Sequence, residues 1–258
     1  MRTTILDQLK AIEQEKGVDI LFACESGSRG WEFPSPDSDY DVRFIYRRTY
    51  EQYLSITGHE DLLRFPIDNE LDLNGWDLRK VLQLISRSNT TPFEWLQSPI
   101  VYREAPGFRD ELWSLCPLYF SRRSNIYHYL GITKGALDTM DSTGAIKVKK
   151  LFYVLRPLLA ARWNMEKNSI APMSIQPLMN LMPETLQLKV TALIALKATM
   201  PEGYSIAPDE HLMDWISQTF EQCSQFGSTL PRDQFDTGPL DNFFIRNLNN
   251  NDPARIKR

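Results

Sequence analysis

Histidine and cysteine are scarce in this chain, and the few present are scattered. The three histidines among 258 residues, His59, His128 and His211, share no metal-ligand spacing. Three cysteines, Cys24, Cys116 and Cys223, are odd in number and far apart, which fits neither a disulfide framework nor a thiolate metal site. They read as packing residues. Long apolar runs are also missing from the amino terminus: MRTTILDQLKAIEQEKG alternates charged and apolar residues, unlike a secretory signal or a membrane span. The expectation is a cytoplasmic protein without a membrane partner. Positive charge is not in excess either, since the net charge is −4, so long polyanions are not gathered by the global field. A local basic patch can still bind one nucleotide or a strand end. Neither internal repeats nor low-complexity tracts occur.

What is present is the composition of an ordinary globular protein. With 42% hydrophobic and 24% charged residues, the chain has material for one large domain or two modest ones. Ile5, Leu9 and Ile12 fall at helical spacing before Gly17, which predicts a first helix. Residues 18 to 24 form an apolar run that ends in a Ser/Gly cluster, read as a buried strand and a tight loop. Pro34 to Ser38 mark a turn, and YDVRFIY from Tyr40 reads as a second strand. ELDLNG, residues 70 to 75, is a third strand, followed by a helix with Leu78, Val81, Leu82 and Ile85 on one face and Asp77 in its first turn. Beyond Pro117, helical periodicity dominates over Ser124 to Leu137, Lys147 to Asn164 and Pro183 to Thr199. The Asn-rich end reads as a polar tail of low order. The six tryptophans read as packing residues, Trp31 excepted because its loop adjoins the acidic cluster described next.

The chemistry lies between the first two strands. Gly27-Ser28 is followed by ten residues, Arg29 to Ser38, and then by Asp39-Tyr40-Asp41. Strand alternation sends Asp39 and Asp41 to one face, where two carboxylates repel unless a cation lies between them. Mg²⁺ suits such a pair because it prefers hard oxygen ligands and keeps positions for water and phosphate; Mn²⁺ is an alternative. Asp72 brings a third carboxylate from the next strand. Glu70 alternates onto the same face and competes for that role; Asp72 is favoured by its apolar neighbours, Leu71 and Leu73. Three carboxylates holding two metals can activate a hydroxyl and stabilise departing pyrophosphate. In the preceding loop, glycines let backbone amides approach a triphosphate and Ser28 can donate to its oxygens. Arg29 can bind phosphate or pair with Asp37 or Glu32 to fix the loop.

SGSRGWEFPSPDSDYDVRFIY resembles the signature of the DNA polymerase β-like nucleotidyltransferase superfamily, a Gly-Ser loop followed after about ten residues by Asp-x-Asp on a strand. Together with DLNGWDLRKVL and EWLQSPIVY it looks like the RlaP/YcgL branch of predicted nucleotidyltransferases, in part associated with RNA repair. That branch often has Ala after the loop arginine, where this chain has Gly30. The resemblance implies an α/β (α+β) fold: a mixed-sheet nucleotidyltransferase domain over residues 1–115 and a mainly helical domain over 116–240 closing over the nucleotide, with the polar tail read from composition over 241–258. It implies that Gly27 and Ser28 contact phosphates and that Asp39, Asp41 and Asp72 hold the metals. It also implies basic residues of the helical domain at the nucleotide. Candidates are Lys134, Lys149, Lys150 and Arg156, with Lys149, Tyr153 and Arg156 near one helix face. Arg29 joins them if it meets phosphate.

The expected reaction moves a nucleoside monophosphate from an NTP such as ATP to a hydroxyl, an RNA 3′ end on resemblance. The rivals are a protein or small-molecule acceptor, a metal-dependent phosphohydrolase, and a non-catalytic nucleotide-binding regulator of the same fold. Spacing leaves open which NTP is used, which acceptor, and the oligomeric state.

Overall fold

The expected first helix forms as α1 (Arg2–Lys16), burying Ile5, Leu9 and Ile12 and ending at Gly17 in the left-handed conformation, φ 59°. In this computed structural model residues 1–67, 70–139, 145–207 and 209–249 are described. After α1 come β1 (Asp19–Glu25), α2 (Gly27–Gly30), β2 (Tyr40–Arg47), α3 (Tyr50–Leu54), β3 (Leu62–Arg64), β4 (Leu71–Asp77), α4 (Leu78–Ser86), α5 (Thr90–Gln97), β5 (Val101–Glu104) and α6 (Phe108–Leu115). The remainder is α7 (Arg122–Leu137), β6 (Ile146–Lys147), α8 (Val148–Lys167), α9 (Ile175–Met179), α10 (Glu184–Lys197), β7 (Ser205–Ile206), α11 (Glu210–Thr229) and α12 (Gly238–Asn249).

Five strands form a mixed sheet in the order β3-β4-β2-β1-β5. β2 and β4 run parallel, while β1 is antiparallel to both β2 and β5, and β3 to β4. Alternation divides the side chains between two cores. Val42, Phe44, Leu71 and Leu73 pack with α1 on one side, and Ile45 packs with Leu78, Val81 and Phe93 of α4 and α5 on the other. On that second side burial thins toward the strand starts, where Asp41 of β2 and Asp72 of β4 are only half-buried.

The helical half is built on α8, a 20-residue helix buried over most of its circumference between α7 and α11. The segment between β1 and β2 reaches into this core. Phe33 stacks on Phe152 at 4.8 Å between ring centroids, and buried Lys197 donates to Ser35 Oγ at 2.9 Å. The segment bearing Asp39 is thereby fastened to both halves.

The mixed sheet followed by helices is the fold class expected. The polar tail expected from residue 241 needs correction, because residues 241–249 continue α12, which buries Leu240 and Phe243 against the sheet-side core. The rest of that tail, residues 250–258, lies outside the described residues. Among the described residues no helix is long and apolar enough to cross a membrane.

Candidate active site

β1 ends at Glu25, and the chain turns sharply through Gly27 at φ +57°. A Cβ on Gly27 would lie 2.1 Å from Asp41 Oδ2, so only glycine lets the backbone run against that carboxylate. Gly30 is equally confined: a Cβ there would lie 2.8 Å from the Glu25 carbonyl oxygen and 2.6 Å from Met173 Cε. The expected Gly-Ser loop is a single helical turn, α2, lying beside the start of β2.

The parallel register sets Asp41 directly beside Asp72. Between them lies the guanidinium of Arg43, whose Nη2 donates to Asp41 Oδ1 at 2.9 Å and to Asp72 Oδ2 at 2.8 Å. Its Nη1 donates to the Asp72 carbonyl at 3.0 Å, and Asn74 Nδ2 donates to Asp72 Oδ1 at 2.6 Å. Burial pushes the Asp41 carboxyl above its ordinary value; Arg43 opposes the shift, and the charges of Asp72 and Asp39 add to it. Asp39 is exposed and lies two residues upstream of Asp41, just before β2 begins at Tyr40. Glu70 is also exposed and precedes β4, meeting β2 through its carbonyl oxygen, which accepts from Tyr40 N at 2.7 Å.

Beneath the pair, fully buried Glu25 accepts from Asp41 N at 2.7 Å and from the Tyr102 hydroxyl, fixing the start of β2. Its carboxyl is also raised by burial, against the hydrogen bonds from Tyr102 and Asp41. Ser28 Oγ donates to Ser38 Oγ at 3.1 Å, and Ser38 Oγ donates to Glu202 Oε1 at 2.9 Å. Glu202 also accepts from Lys149 Nζ, and its backbone N–H donates to Asp37 Oδ1 at 3.0 Å. Arg29 clamps the segment by donating to the carbonyls of Asp39 at 3.1 Å and Ser38 at 2.7 Å, with its guanidinium 3.9 Å from the centre of the Tyr40 ring. That is a loop-fixing role, played through backbone carbonyls rather than through Asp37 or Glu32.

In donor chemistry Asp41, Asp72 and Asp39 suit a hard divalent cation. Among the described residues, however, no three His, Cys, Asp or Glu side chains already converge on a common point. Arg43 supplies the positive charge within the pair, and Asp39 lies outside it.

The chain belongs to the RlaP family. Residues 1–246 match the model of that family, described as the RNA repair pathway DNA polymerase beta family. The chain is also 46% identical to YcgL of Bacillus subtilis (strain 168), named as an uncharacterized protein, over 180 residues that make up 70% of this chain and 69% of the relative. The loop and strand motifs had indicated this same branch.

The helical half contributes to the cleft unevenly. Lys149, Lys150 and Tyr153 line a cavity of about 410 Å³ with Lys147 and Glu202. Burial works against the charge of Lys149, but its contact with Glu202 outweighs this and lifts its value overall. Lys150 donates to the Thr139 carbonyl. Lys134 is exposed on α7 and does not line this cavity. Arg156 is placed in the core: it is 1% exposed, pairs with Glu94, and donates to the carbonyls of Met173 at 3.0 Å and Pro172 at 3.2 Å. Trp31 packs against the helical core, edge-on to Tyr153 at 5.3 Å. Glu25, Arg43 and Glu202 were missed from sequence. Arg43 had a signal, since strand alternation puts it on the face of Asp41; Glu202 had none.

Proposed function

We propose that this protein is a metal-dependent nucleotidyltransferase that transfers a nucleoside monophosphate from an NTP to a hydroxyl, with an RNA 3′ end as first acceptor class. The observation that carries this reading is the Asp41–Asp72 pair in register on adjacent parallel strands, with the Gly27 turn packed against the Asp41 carboxylate. The family's RNA-repair description supports the acceptor class.

Asp39, Asp41 and Asp72 would hold Mg²⁺ or Mn²⁺, which when bound supplies Lewis-acid charge at the α-phosphate and the departing pyrophosphate. Backbone amides of α2 and the Lys149 ammonium bind the triphosphate, and the cavity beside Tyr153 takes the nucleoside. Asp72, which lines the groove on the sheet, orients the acceptor hydroxyl and takes its proton. The acceptor oxygen bonds to the α-phosphorus as the bond to the β-phosphate bridging oxygen breaks, and pyrophosphate leaves.

The test is transfer of α-labelled NTPs, with Mg²⁺ or Mn²⁺, to total tRNA, protein extract or small metabolites. It compares wild type with a folded Asp39→Asn/Asp41→Asn variant. Label moving to RNA in wild type alone, with pyrophosphate released, is expected. Equal transfer by the variant would sink the mechanism, and release of inorganic phosphate would indicate a phosphohydrolase.

A further inference from the structure

On the half-buried face of β4, alternation lines up Asp72, Asn74 and Trp76. Strand register extends each into a row across the sheet. Asp41 lies beside Asp72, Arg43 beside Asn74 with Arg64 on its other side, and Ile45 beside Trp76. An open groove of about 470 Å³ follows these rows away from the carboxylates. It leads to Trp76, half-buried and packed on buried Trp95 at 4.2 Å between ring centroids. The groove shares no lining residue with the lysine-lined cavity beside Tyr153; Asp72 lines the groove, and the charge of Asp41 acts on Tyr153 of the cavity.

The nucleotide cavity is lined by lysines. The groove offers a carboxylate, an amide, an exposed arginine and an indole in sequence. Successive rows are two strand residues apart, roughly 7 Å, about twice the 3.4 Å rise of stacked nucleotides. A polynucleotide strand laid with one nucleotide per row is stretched to about twice the stacked spacing, which unstacks its bases and leaves them free to rest on a protein ring. Cationic contact to the backbone together with a ring beneath a base is how proteins hold single strands without reading sequence. The net charge of −4 fits a footprint of this size better than a long duplex track.

We propose that this groove is the acceptor channel and takes the unstacked 3′-terminal nucleotides of a single-stranded RNA. Resting on the transferase reading above, the terminal hydroxyl lies at Asp72, the next phosphate meets Arg64, and a base stacks on Trp76. Asn74 is a positioning residue that holds Asp72 through its 2.6 Å hydrogen bond. A protein acceptor would need neither the Arg64 row nor the indole.

The test uses the full chain and a 5′-labelled single-stranded oligoribonucleotide with a free 3′ hydroxyl, read by fluorescence anisotropy. The proteins are wild type, Arg64→Gln and Trp76→Leu, with Trp76→Phe as the conservative control for packing on Trp95. Arg64→Gln is expected to weaken binding and lower the salt slope by about one. Trp76→Leu is expected to weaken binding about 5- to 150-fold, the size of one base–aromatic stack, and Trp76→Phe to restore much of it. Calorimetric NTP affinity stays unchanged in all three, and blunt duplex RNA fails to compete. Equal oligonucleotide binding by wild type and both disruptive variants, or labelling of protein instead of RNA, overturns the channel. Binding that depends on Arg64 and Trp76 without any nucleotidyl transfer leaves the channel standing and overturns the transferase reading instead.

Discussion

Replacing Gly27 by alanine tests the closest contact in the site. The added Cβ would lie 2.1 Å from Asp41 Oδ2 and 2.9 Å from its Cγ, whereas ordinary contact begins near 3.4 Å. The carboxylate must retreat by roughly 1 Å, a displacement that costs catalytic groups on the order of 100-fold. The left-handed backbone adds about 1 kcal/mol of strain for a residue with a Cβ. Gly17→Ala separates the two effects, because Gly17 has a matching φ of +59° and nothing within 4 Å of its Cβ position. Both variants should therefore lose about 2–4 °C in melting temperature from backbone strain, with a further loss for Gly27→Ala. Only Gly27→Ala should lose nucleotidyl transfer, about 100-fold in initial rate at saturating NTP. A Gly27→Ala protein retaining more than a third of the wild-type rate would refute the claim that Asp41 is positioned by this turn. Equal rate losses in the two variants would place the effect in general stability.

Arg156→Met should leave largely buried Glu94, 12% exposed, without its cation and cost about 3 kcal/mol in urea denaturation, with Arg156→Met/Glu94→Gln recovering much of it; a loss under about 1 kcal/mol in the single variant would count against a desolvated pair. Glu25 has a raised carboxyl, so the folded state favours its protonated form. Its destabilising contribution is absent below the unfolded carboxylate range and grows as pH rises through the folded value. Melting temperatures of Glu25→Gln should therefore improve relative to wild type between pH 4.5 and 7.5, and a difference independent of pH would reject this. Arg43→Gln should leave Asp41 and Asp72 facing each other uncompensated. It should melt lower than wild type in chelator at low salt and gain more from added Mg²⁺; equal gains in the two proteins would show that Arg43 is not the counter-charge.

The features legible in sequence were those fixed by local constraints. Three apolar positions and a glycine marked α1, and Asp77, read as a first-turn acid, caps α4 by accepting from Arg79 N at 2.8 Å. The Gly27 to Asp41 spacing was legible because one turn and one strand face set it. α12 was obscured by its asparagines, although Leu240 and Phe243 sit three apart and are the residues it buries. Lys149, Tyr153 and Arg156 do follow one helix face, but seven residues of helix advance about 10 Å. That is enough to carry the face from the cleft at Lys149 into the core at Arg156. Glu202 was beyond reach because its partner Ser38 lies 164 residues away in the chain.

Carboxylates converging on one strand face require positive charge nearby, and from sequence that charge was assigned to metal alone. In the structure the close pair is Asp41 with Asp72, and their shared cation is Arg43, two residues along the same strand. A guanidinium can satisfy both carboxylates by hydrogen bonds, yet it leaves no coordination position for a triphosphate and cannot polarise one as a metal does. Divalent metal must then compete with an intramolecular cation for the same oxygens. An NTP arriving with its metal brings both a second set of oxygen ligands and a negative charge for Arg43 to meet. On this physical ground, metal should bind much more tightly with nucleotide than alone, and the gap should narrow in Arg43→Gln.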